Sequence, residues 1–373
     1  MSKQYESYHQ DQNRKAAEVL VAAAEAGKPS MDEFHDTPGF AKSRVASDTS
    51  YAEKLKSQFA VQERSPNNFY AKALEAIMQS GISRGLFLHP TSPEDRTYAI
   101  PPTDYDDYVN GIDLAIECVR LDEDGEPESI PFAIDCTTQN SPEAIRNKIL
   151  RLRKDKPSGR LFRPTREDGL PMGCVNMGYF FNQATGDKRK IDFLPRYTVG
   201  VSRDYIEGIV ERADTFSTPP SIKNDPLTSL KLLLEMRAQN ELFVDFATHG
   251  GELYDEDEAD EITLTPDEIY AAKQFEAIDA IFQQGISDLI QRNPSLREKF
   301  TDKTTGRILS RERIVKMLCE EDDVFATIIE TVEDLKEASS QDVGEESGDG
   351  GESIHTHHKE IGHRILLLLK KVA

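Results

Sequence analysis

Apolar and polar positions alternate most clearly across residues 110–119 and 131–138, and this period of two predicts a pair of strands. In the first, Ile112, Leu114, Ile116 and Cys118 share one face and Asp113, Ala115 and Glu117 the other. In the second, Phe132, Ile134 and Cys136 point one way, and Ala133, Asp135 and Thr137 the other. The acidic turn Asp122-Glu123-Asp124-Gly125 separates them. Each strand carries an aspartate where a buried strand normally has an apolar residue, and pairing would bring two or three carboxylates to one face.

Helical spacing frames these strands. Phe69, Ala73 and Ile77, with Leu74 and Met78, form a stripe that predicts a helix from Asn67 or Asn68 to Gly81. After the second strand, Asn140 or Ser141 can cap a helix with Pro142 in its first turn, running to about Lys154. Residues 193–201 read as a strand and 202–210 as the helix after it, whereas 175–181 fit either element. This order predicts a mixed-sheet α/β core over 65–216. Ahead of it, residues 1–64 carry helix candidates at 14–26 and 51–62, expected to form a flexible arm. After a proline-containing linker at 215–226, helical patterns at 227–246, 265–292 and 310–338 predict an all-helical region, 227–338. A Ser/Gly/acid-rich linker, 339–357, and a short helix, 358–373, complete the chain.

Charge sharpens the picture. The 373 residues carry a formal net charge of −22, and mean hydropathy is −0.56. An acidic chain does not coat nucleic acid or anionic membrane over its whole surface. From Arg146 to Arg166, however, nine basic residues stand against one acid, Asp155. Arg146, Arg151, Arg153, Lys154, Lys156 and Arg160 can follow a phosphate backbone beside the aspartates, or form a solvated helix face. No apolar run reaches the ~18–20 residues of a spanning helix, and a cytoplasmic protein without a membrane partner is expected. The four cysteines show no CxxC pairing. No GxxxxGK[ST], GxSxG or HExxH is present, so the commonest NTPase, hydrolase and zinc-protease readings fall away. His355, His357, His358 and His363 lie beyond the flexible linker without a second ligand cluster, and His249 reads as a loop residue.

Phosphodiester cleavage with a divalent metal needs carboxylates for the ion and a cation near the phosphate. Asp113 and Asp135 supply the pair, and Glu75, on the preceding helix, is a third candidate. Residues 73–83 recur as an echo at 277–287, where Asp279 matches Glu75, which suggests a solvated position for Glu75. Helix, Ile112-Asp113, Ile134-Asp135-Cys136-Thr137 and the next helix together resemble the core of the PD-(D/E)XK nuclease superfamily. The resemblance covers about 65–216. It implies a restriction-endonuclease-like fold, Mg2+ or Mn2+ on Asp113 and Asp135, and nucleic acid as partner. Thr137 stands where the family usually has lysine. Lys148 or Arg146 on the following helix can replace that cation. Without a replacement, the domain would be a noncatalytic binding or assembly module, with protein partners on its helical region.

Overall fold

The computed structural model describes residues 3–59, 66–85, 95–121, 125, 127–150, 173–183, 185–213, 225–249 and 266–345. Its centre is a five-stranded mixed sheet. Strands β1 (Arg96–Ile100), β2 (Leu114–Leu121) and β3 (Pro127–Thr137) form an antiparallel meander. Strand β3 then pairs in parallel with β5 (Lys188–Gly200), whose other edge carries antiparallel β4 (Cys174–Phe181), giving the order β1-β2-β3-β5-β4. A parallel pair cannot be joined by a tight turn. Helix α5 (Pro142–Leu150) and β4 occupy that crossover. With the surrounding helices this is an α+β architecture.

Alternation along the strands divides their side chains between two cores. Leu114, Ile116, Cys118, Phe132, Ile134, Cys136, Tyr197 and Val199 belong to the main core. Helix α3 (Pro66–Ile82) adds Leu74, Ile77 and Met78 to it, and α5 adds Ile145 and Ile149. Ala115, Ala133, Val175, Met177 and Leu194 form a second cluster. Ile112 joins this second cluster, not the face of Leu114 that strict alternation assigns it. The reason is local: β2 begins only at Leu114, after Gly111 turns the chain with a φ of 62°.

The N-terminal segment is more firmly placed than a flexible arm. Helix α1 (Lys3–Ala26) packs on α3 and on α6 (Arg203–Glu211), burying Ala17 and Leu20 in the main core. Met31, Phe34, Phe40 and Val45 enclose Tyr179 of β4, and α2 (Lys42–Phe59) lies against α4 (Asp104–Tyr108). The alanine-rich face of α1 is apolar enough to dock, although it carries few large side chains.

The C-terminal helices also share the main core with the sheet. Helices α7 (Pro226–His249), α8 (Pro266–Arg292) and α11 (Asp323–Glu345) contribute Leu230, Phe243, Phe275, Phe282, Phe325 and Ile328. A polar stripe along α7 holds the end of β5. Gln239 exchanges two hydrogen bonds with the Thr198 main chain, accepting at 2.8 Å and donating at 2.6 Å. Glu235 accepts from the Gly200 amide at 2.9 Å. Fully buried Lys231 donates to Asp322 at 3.0 Å.

The helix expected over 310–338 is two helices, α10 (Arg311–Cys319) and α11, with α9 (Pro294–Lys299) before them. Asp322 restarts the chain by accepting from the amides of Val324 and Phe325. Helix α11 continues to Glu345, into the expected linker, and His249 ends α7 instead of lying in a loop. The four C-terminal histidines and the helix expected at 358–373 lie outside the described residues. No helix among the described residues is long and apolar enough to cross a membrane.

Candidate functional site

Asp113 sits at the mouth of β2. Its amide donates to Ile134 O at 2.9 Å, and its Oδ2 accepts from the Cys136 amide at 2.6 Å. The carboxyl is thereby placed against the C-terminal end of β3, where Asp135 is buried. The two carboxyls are close enough for the charge of Asp135 to act on Asp113. This is the meeting of aspartates that strand pairing implies.

Lys148 reaches the same point from α5. Its Nζ donates to Asp135 Oδ1 at 2.6 Å and to Cys136 O at 3.1 Å. Ser141 caps α5 by accepting from the Ala144 amide, which sets the helix at the end of β3. Lys148, near the end of α5, then points back over the strand. Thr137 itself is buried and accepts from the Gln139 amide, so a cation at the candidate pair comes from the helix, not from that strand position.

Arg196 is the residue that strand periodicity alone does not bring here. From β5 it pairs with Asp135 Oδ2, so both oxygens of that carboxylate face cations. Its remaining donors reach Gly111 O and Lys148 O, each at 3.0 Å. Arg196 is the one charged residue in the apolar stretch Phe193–Val201, and that isolation is the signal that could have marked it.

Glu75 is buried on α3, whereas its echo partner Asp279 is half-buried; the matching register conceals different surroundings. Lys28, just past α1, places its Nζ 4.0 Å from Glu75, 2.8 Å from Asp107 and 3.0 Å from Glu25. Glu117 is also fully buried but does not join the pair. It accepts from Ser129, Asn182 and the Gln183 amide farther along the sheet. Arg146 is half-buried, with its Nε unpartnered among the described residues. Arg151, Arg153, Lys154, Lys156 and Arg160 lie outside them.

The electrostatics separate the two aspartates. Burial, and next the charge of Asp135, push the Asp113 carboxyl up from 3.8 to about 7, with Lys148 relieving part of the effect. Burial also acts to raise Asp135, but the Lys148 and Arg196 charges outweigh it and hold Asp135 below the usual carboxylate value. Lys148 is raised because both aspartates outweigh its desolvation. Burial and the nearby Asp113 push Glu75 well up, with partial relief from Lys28. Of the two, Asp135 is therefore the more readily ionised, and Asp113 keeps its proton to higher pH.

Among the described residues, no three His, Cys, Asp or Glu side chains group closely enough to hold a metal by themselves. The oxygen donors assembled here are the Asp113 and Asp135 carboxylates and the Cys136 carbonyl. Comparison with family models, curated proteins and solved structures yields no match to this chain.

Proposed function

We propose that the protein is a divalent-metal-dependent phosphodiester hydrolase acting on nucleic acid through Asp113, Asp135 and Lys148. The observation carrying this reading is the Asp113 carboxylate held by the Cys136 amide, next to Asp135, with the Lys148 ammonium on Asp135. The order α3, meander β1-β2-β3, α5, and β5 parallel to β3 supports the PD-(D/E)XK resemblance, with β4 as an added edge strand.

The donors fit a hard cation. Mg2+ is content with one or two carboxylates and several waters. Burial and the charge of Asp135 raise the Asp113 carboxyl, and the Lys148 ammonium bridges Asp135 Oδ1 and Cys136 O. Positive charge already stands among oxygen donors suited to Mg2+ or Mn2+. Asp113, Asp135 and the Cys136 carbonyl would hold the ion, which supplies an acidified water and charge neutralisation at the phosphate. Lys148 then steadies the phosphate or the attacking oxygen. Arg146 and the basic segment after it grip the backbone, with affinity that falls as salt rises. Glu75 acts beside Asp113 as an additional acid.

A second reading is a noncatalytic module binding nucleic acid or protein. It is favoured by Asp135, whose two oxygens both face protein cations. Incubating the full chain with labelled single- and double-stranded DNA and RNA, with Mg2+ or Mn2+, separates the two. Cutting should occur, and Asp113→Ala with Asp135→Ala should abolish it while leaving the fold intact. Absence of cleavage on every substrate, with no metal-dependent rise in Tm, would refute the hydrolase reading.

A further inference from the structure

We propose that Arg196 is the positioning residue of this site, a single guanidinium that fixes Asp113, Asp135 and Lys148 relative to one another. The proposal deepens the hydrolase reading and rests on it for its catalytic consequence. Its geometric content stands apart.

Each group of the site is carried by a different element, and Arg196 bonds to all three. Nη2 donates to Asp135 Oδ2 on β3. Nε donates to Gly111 O, two residues before Asp113, at 3.0 Å. Nη1 donates at 3.0 Å to the carbonyl of Lys148, whose ammonium holds the other Asp135 oxygen. Only a planar fork with several fixed donors spans such a triangle, and a lysine ammonium is a point charge on a flexible stem. Gly111 presents this carbonyl from a φ of 62°, the left-handed region that favours glycine.

The strand is irregular shortly before this side chain. Val175 faces Leu194 and Met177 faces Ile191, so two steps on β4 oppose three on β5. The extra residue is a β-bulge at Asp192-Phe193, where Phe193 takes a φ of 58°. That region is unfavourable for a bulky side chain. Ile191 and Leu194 consequently fall in the same cluster although three residues apart, while Tyr197 and Val199 face the main core. A compensating extra residue on β4, between Met177 and Phe180, restores the register beyond it. Pairing with β3 sets Ala133 beside Arg196 and Asp135 beside Thr198, which turns Arg196 to the aspartate side and leaves Tyr197 in the main core.

The test compares wild type with Arg196→Lys and Arg196→Gln in the full chain, by Mn2+ binding in electron paramagnetic resonance and by 13C NMR of the aspartate carboxyls. Arg196→Lys should weaken Mn2+ binding at least tenfold, shift the Asp113 and Asp135 carboxyl signals, and lower kcat at least tenfold with KM little changed. Wild-type Mn2+ affinity together with unmoved carboxyl signals in Arg196→Lys would overturn the proposal. If wild type binds no Mn2+ and cuts nothing, the hydrolase reading has failed, and the carboxyl signals alone still decide on Arg196. Should both variants unfold, the Arg196 Nε–H of the unaltered protein serves. Slow solvent exchange supports the positioning role, whereas rapid exchange overturns it.

Discussion

Asp113→Asn tests the electrostatic account of the site without any substrate. Asparagine keeps an oxygen for the Cys136 amide and an N–H for Asp135, so it copies the protonated aspartate. A carboxyl raised from 3.8 to about 7 binds its proton more tightly folded than unfolded. The resulting penalty is absent below pH ~4, grows as pH rises to 7, and is full above it. Its ceiling is about 4 kcal/mol. Because Asp113 is half-buried and the Lys148 charge offsets part of the effect, about 2 kcal/mol is the working expectation. Urea unfolding at pH 8 should therefore find Asp113→Asn more stable than wild type by about 2 kcal/mol, with the difference vanishing near pH 4. A variant less stable than wild type at pH 8, by the same margin as at pH 4, would refute the reasoning. Asp113 would then be an ordinary ionised hydrogen-bond acceptor.

Two further substitutions probe how the helices hold the sheet. Lys231→Met removes the cation from a fully buried pair and leaves Asp322 charged, though still bonded to the Ser202, Val324 and Phe325 amides; urea denaturation should show a loss of about 3 kcal/mol. Phe282→Ala empties the space against Phe132 and Tyr197, whose ring centroids lie 5.5 and 5.3 Å away, and should cost about 3–5 kcal/mol with the fold retained by circular dichroism.

Much of the sheet and half of the site were legible in the residue pattern. Acids in apolar strands are costly unless partnered, so Asp113 and Asp135 stood out before any geometry was known. Cap chemistry at Ser141 placed α5, and with it Lys148. Arg196 was hidden because alternation sets it on the face opposite Tyr197 and Val199 but does not say that its strand lies beside β3. Glu75 was misjudged because helical register fixes a face, not what covers it. Lys28, just past α1, supplies that cover from a segment whose alanines looked too small to anchor anything. The helical region was visible as helices, but its docking on β5 depends on Lys231, Glu235 and Gln239, which spacing alone presents as a solvated stripe.

That docking bears on how such a chain can be divided. A catalytic core with a removable accessory half could be cut at the segment before Pro226. Here the cut would strip Tyr197 of its Asn240 partner, expose Phe132 to solvent on the side of Phe282, and leave the Thr198 and Gly200 amides without their acceptors. The strand that presents Arg196 is finished by side chains from the other end of the sequence. The sheet and the C-terminal helices are thus one packing unit, and separating them would leave buried groups of each without partners.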